Sequence, residues 1–127
     1  MRFACLIYFD PKEIFNASAA GNAVLADSGP FAASLAASGH LVLGQPLSLP
    51  GDAVTISMRD GRMSSTDGPF IETKEMLGGF LVIEAADRDD AVRIASQIPF
   101  ARLGHIEVRP APDTSQPRPH FPADAPA

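Results

Sequence analysis

One stretch, Thr66-Asp67-Gly68-Pro69-Phe70-Ile71-Glu72-Thr73-Lys74-Glu75, limits what this chain can fold into more than any other. Pro69 fixes its own φ and drives Gly68 out of the α region, Gly68 is free to take positive φ, and Asp67 is placed to accept hydrogen bonds from the backbone just ahead. The consequence is a sharp, prearranged corner between two apolar segments. Phe70 and Ile71 are expected to bury against that corner, and Thr73 to cap a short helical turn through Lys74, Glu75 and Met76. Gly78-Gly79 should end the turn and let the next strand begin.

The flanking segments read as an α+β order. Residues 2–9 are apolar on both alternating faces: Phe3, Cys5, Ile7 and Phe9 on one, Ala4, Leu6 and Tyr8 on the other. Two helices in a domain this small cover only one face, so the other predicts a homodimer. Ile14 to Gly39 reads as helix, with Ala20, Val24, Phe31 and Leu35 sharing a face and a kink or break expected at Gly29-Pro30. Leu41 to Gly44 is a short strand, followed by a loop from Gln45 to Asp52. Val54 to Arg59 and Arg62 to Thr66 alternate around Asp60-Gly61, the pair favoured by a type I′ hairpin turn. Phe80 to Ile83 is a central strand. Asp87 begins a second helix that buries Ala91, Ile94, Ala95 and Ile98 and stops at Pro99. His105 to Arg109 is the last strand, with Ile106 and Val108 inward and His105, Glu107 and Arg109 opposite. The frame is ferredoxin-like βαββαβ with an inserted hairpin.

The length of 127 residues allows one domain. A net charge of -5, with Lys12 and Lys74 the only lysines, argues against nucleic acid as a partner. The first nine residues are too short for a signal peptide, and no apolar run is long enough to cross a membrane. Cys5 stands alone, which excludes an internal disulfide and suits a reducing cytoplasm; on the Phe3 face it reads as a core thiol. Six of the twelve prolines fall in residues 110–127, so the folded domain is placed at 1–110 and a Pro-rich, disordered tail at 111–127. His120 and Phe121 sit in that tail.

The run Asp67-Gly68-Pro69-Phe70, continued by Glu72-Thr73-Lys74-Glu75 and Leu77-Gly78-Gly79-Phe80, resembles the signature of the DGPF-domain branch of the YCII-related proteins. Arg2 to Tyr8, Gly44-Gln45-Pro46-Leu47 and Ile106-Glu107-Val108-Arg109-Pro110 are similar to that family in the same order. The resemblance implies a dimeric α+β barrel, a ferredoxin-like domain that pairs through its sheet. By analogy with the fold's relatives, it implies a cofactor-independent acid–base reaction such as isomerisation or elimination. It also implies an alternative, a regulatory partner associated with an extracytoplasmic-function sigma factor. In proteins nearer the YCII type, a histidine and an aspartate in and after the first helix look like a catalytic pair; this chain has no histidine before His40, so that pair does not carry over.

No histidine–cysteine–carboxylate spacing of a metal site is present, no phosphate-cradling loop, and no serine at a strained strand-to-helix turn. Candidate acid–base residues are therefore Asp67, Glu72, Lys74 and His105. Tyr8, Phe70, Thr73, Glu75 and Arg109 are candidates to line a small-molecule cleft between sheet and helices, near the central stretch. The competing reading is architectural: Asp67 holds the turn, Lys74 pairs with Glu72 or Glu75, His40 caps a helix end, and His105 is an exposed edge-strand side chain.

Overall fold

The computed structural model describes residues 1–115; the rest of the tail, with His120 and Phe121, lies outside the described residues. Strands β1 (Arg2–Phe9), β2 (Leu41–Pro46), β5 (Met76–Glu84) and β6 (Gly104–Pro110) form one sheet in the order β2-β5-β1-β6, each neighbour antiparallel. Strands β1 and β2 flank β5, while β5 and β6 flank β1, so two split βαβ units interlock. This is the ferredoxin-like α+β frame expected from the sequence. The hairpin β3 (Val54–Arg59) and β4 (Arg62–Asp67) stands apart as a two-stranded sheet. Asp60 and Gly61 both take positive φ, 51° and 72°, as a type I′ turn requires.

The helices α1 (Pro11–Ile14), α2 (Ala19–Ala37) and α3 (Arg88–Ala95) cover one face of the sheet. On that face Phe3, Cys5, Ile7 and Phe9 join Val24, Leu35, Ile83, Ala91, Ile94 and Ile98 in one buried cluster. Asp87 caps α3 by accepting from the Asp90 N–H at 2.8 Å, and Asp89 and Asp90 meet the positive end of the helix.

The first helical segment departs from its expected form in three ways. It is split, because Asp10 caps a short α1 and Ser18 starts α2 anew by accepting from the Gly21 N–H at 3.0 Å. Gly21 and not Ala20 lies on the buried face: a Cβ at Gly21 would stand 2.4 Å from the Ile14 carbonyl oxygen, so only glycine lets α2 pass α1 this closely. Finally, α2 runs unbroken through Pro30. Ala26 and Pro30 are both exposed, so the carbonyl that loses its donor faces water.

The end of α2 is a Schellman motif. Gly39, at φ 81°, donates to Ala36 and the His40 N–H to Leu35. The His40 ring lies with Nδ1 2.9 Å from the Glu84 carbonyl oxygen, tying the helix end to β5. The ring's role is structural, but toward the sheet and not toward the helix's own carbonyls.

Cys5 is fully buried, and burial pushes its thiol up to about 11. The folded protein therefore holds the proton that the unfolded chain releases near pH 9, and stability should fall as pH rises from about 9 to 11. The two-unit difference amounts to about 2–3 kcal/mol. Urea melts across that range should show this loss in the wild type and a shallower one in Cys5→Ala.

Candidate functional site

Among the described residues, no helix covers the opposite face of the sheet. Register places Ala4, Leu6 and Tyr8 of β1 beside Val82, Phe80 and Leu77 of β5 and beside Arg109, Glu107 and His105 of β6. These side chains share the open face because their strand neighbours Phe3, Cys5, Ile7 and Phe9 point into the core. The inward and outward residues of β6 are as the sequence predicts.

At one end of this face lies a cleft of about 1060 Å³. Its walls are Leu47 to Ala53, which include a turn of 3-10 helix at Pro50–Asp52, the segment Gly68 to Thr73, and Met76 and Leu77 at the start of β5. Tyr8 closes one side. Among the described residues none of the lining comes from an α-helix, so the cleft lies between the open sheet face and its loops, and not between sheet and helices as the sequence suggests.

The corner that begins the central stretch is held differently from its expected form. Gly68 has φ 99°, in the region that favours glycine. Its N–H donates to the Ala53 carbonyl at 2.7 Å, and its own carbonyl accepts from the Thr55 hydroxyl at 2.9 Å. Asp67, at the end of β4 opposite Val54, forms no side-chain hydrogen bond among the described residues, so the β3 strand and not the aspartate fixes the turn. Gly68→Ala is expected to cost about 1–2 kcal/mol, from backbone strain alone since open space surrounds the position, and Asp67→Ala less than about 0.5 kcal/mol. Chemical denaturation of both variants checks the ranking.

The rest of the stretch also differs. Phe70 and Ile71 are 82% and 65% exposed, because the hairpin stands away from the main sheet and brings nothing over them. Thr73 caps no helical turn; its hydroxyl donates to the Glu75 carbonyl, and the chain goes directly into β5. Gly78 and Gly79 belong to that strand. A Cβ at Gly78 would collide with the Phe9 ring at 2.1 Å, and one at Gly79 would lie 2.8 Å from the Gln45 carbonyl oxygen. The two glycines serve close packing beside an irregularity in the β1–β5 register, not helix termination.

The candidate polar residues therefore do not converge as one set. Glu72 and Thr73 line the cleft, Asp67 is outside its lining, and Lys74 is exposed with no ion pair among the described residues. Arg109 is paired with Glu107 two residues away on its own strand. Glu75 and His105, however, meet: His105 Nδ1 is 2.8 Å from Glu75 Oε1. They lie on segments separated by β1, so the contact crosses the middle strand, at the position where His105 is in register with Tyr8. With the carboxylate ionised, it can only accept, so the neutral imidazole carries its proton on Nδ1 and leaves Nε2 unprotonated. Nε2 has no partner among the described residues, and the His105 side chain is 79% exposed.

The loop walls Leu47, Ser48, Leu49, Pro50, Asp52 and Ala53 carry no sequence signal of a site. Two backbone hydrogen bonds hold this loop near the central stretch: the Gly68 N–H donates to the Ala53 carbonyl, and the Leu47 N–H to the Gly78 carbonyl.

A family model, the YCII-related domain, matches residues 1–113. The chain belongs to the YCII-related domain family. A curated protein of Rhizobium meliloti (strain 1021), the uncharacterized protein R00369, is 42% identical over 60 residues, covering 46% of this chain and 48% of that one. The match thus spans about half of either protein. Among solved structures, this YCII-related chain is similar to 5-chloro-2-hydroxyhydroquinone dehydrochlorinase (TftG) from Burkholderia phenoliruptrix AC1100, solved in complex with 2,5-dihydroxybenzoquinone. The two share 18% identity at a TM-score of 0.54, over 91% of this chain and 97% of the other, a likeness of fold. No helix among the described residues is long and apolar enough to cross a membrane.

Proposed function

We propose that this YCII-related protein binds a small organic molecule in the cleft beside Tyr8 and acts on it by acid–base chemistry through His105. The observation that supports the reading is the Glu75–His105 contact: the carboxylate meets Nδ1 of a histidine that is in backbone register with Tyr8, and Tyr8 lines the cleft. A neutral imidazole held in this way is a general base that needs no cofactor. Tyr8 supplies a hydroxyl to orient the ligand, and Glu72 and Thr73 supply polar contacts at the rim. The fold shared with a protein solved with a hydroxyquinone bound supports a small cyclic ligand.

The open sheet face pairs with a second copy in this reading. Leu6, Phe80 and Val82 are only half covered within one chain, and Leu43 on β2 is exposed. Four strands about 4.8 Å apart and about 23 Å long present roughly 450 Å² of flat face, less than the roughly 800 Å² per partner of a stable interface. The hairpin adds Val54, Ile56, Met58 and Met63, which share one of its faces and are each more than half exposed. A homodimer of this kind, held in the reducing cytoplasm, is measurable by light scattering, and a monomer at micromolar concentration contradicts it.

The binding reading is tested by thermal shift of the wild type against phenols, quinones and lactones, beside Tyr8→Phe and Glu72→Gln. A ligand at about a hundredfold its dissociation constant adds about 2.7 kcal/mol. Stabilisation of the wild type that weakens in the variants is the expected result; equal shifts in all three place the ligand elsewhere.

A further inference from the structure

We propose that the cleft admits an uncharged ring-sized molecule and rejects its carboxylate counterpart, with Asp52 and Glu72 as the discriminating side chains; this rests on reading the cleft as a ligand site. Its walls are largely aliphatic, with Leu47, Leu49, Pro50, Met76 and Leu77 among them. Among the described residues Asp52, Glu72 and Tyr8 are its only titratable lining residues, and no lysine, arginine or histidine lines it. Lys74 is close in sequence to Glu72 but outside the lining and exposed. His105, in register with Tyr8, lies outside the lining and is paired with Glu75, a third carboxylate. Low-dielectric walls strengthen the field of the carboxylates inside the cleft, and the chain as a whole carries -5. An anion entering the cleft meets repulsion and no compensating donor of positive charge. A hydroxyl on the same ring meets acceptors it can donate to.

The four methionines make the test direct, since Met76 lines the cleft while Met1, Met58 and Met63 lie elsewhere. The full chain, labelled with methyl-13C methionine, is titrated with 2-naphthol and with 2-naphthoate at pH 7. The Met76 methyl should respond to the naphthol at least tenfold more tightly than to the naphthoate. In the double variant Asp52→Asn with Glu72→Gln the gap should close to within about threefold. Both side chains are exposed, and the single variant Glu72→Gln, expected to close part of the gap, serves if the pair perturbs the fold. Naphthoate binding as tightly as naphthol, or a gap unchanged in the variants, overturns the charge selection while leaving the cleft a ligand site. If neither compound moves Met76, or Met58 and Met63 move equally, the cleft reading itself falls and the selection falls with it.

Discussion

Replacing Gly104 by alanine is expected to destabilise the protein by about 3 kcal/mol or more, a large share of the stability of an ordinary domain. A Cβ there would stand 2.1 Å from the Tyr8 carbonyl oxygen, 3.0 Å from the Phe9 Cβ and 3.2 Å from the Phe100 carbonyl oxygen. Two of the three obstacles are backbone, and Phe9 is wedged: its ring stacks on Phe100 at 4.7 Å and meets Phe15 edge-on at 6.2 Å. None of these groups is the loose end of a side chain, so relief requires moving β1 away from β6 where Gly104 is in register with Phe9, next to the Tyr8–His105 pair. Gly51→Ala is the control: it has negative φ and nothing within 4 Å, and should be neutral or stabilising by about 0.5 kcal/mol. Urea denaturation of the two variants separates the steric cost from the general loss of glycine entropy.

The second large effect concerns the Glu75–His105 pair on the open sheet face. His105→Ala and Glu75→Gln should each reduce turnover of a compound found to bind the cleft, the first by about 10²–10⁴-fold and the second by a smaller factor. Glutamine at position 75 offers both a donor and an acceptor and no longer dictates which imidazole nitrogen holds the proton. Both changes should leave stability within about 1 kcal/mol of the wild type, because His105 is mostly exposed and an exposed ion pair contributes little. Steady-state rates measured beside thermal melts check both statements. A loss of rate accompanied by a large loss of stability would make the pair architectural.

Much of the frame was legible because it depends on local chemistry. The apolar alternation of β1, the Asp60-Gly61 turn, the stripe of α3 and the positive φ of Gly68 each follow from a few neighbouring residues. What failed depended on which distant element arrives. Phe70 and Ile71 are apolar and follow a tight turn, which reads as burial, yet burial requires a covering surface that the detached hairpin does not provide. Gly78-Gly79 reads as a stop signal until Phe9 and Gln45 are seen pressed against it. Pro30 reads as a break until its turn is seen to face solvent. The site divides in the same way. Glu75 and His105 were each candidates, but their pairing joins residues 30 apart across the middle strand and follows only from the strand order. Asp67 and Lys74 stood out for their neighbours in sequence, and the strand geometry sends them away from the pair.

In the proposed chemistry Glu75 holds His105 in the Nδ1–H tautomer and leaves Nε2 open to solvent. The most direct measurement is the long-range proton–nitrogen spectrum of the histidine rings at pH 8, in the wild type and in Glu75→Gln. His40, whose Nδ1 faces the Glu84 carbonyl, is an internal reference. The wild type should show the Nδ1–H pattern for His105, Glu75→Gln a shift toward mixed tautomers, and His40 no change. An Nε2–H tautomer in the wild type, or a His105 pattern indifferent to the glutamine, would contradict it.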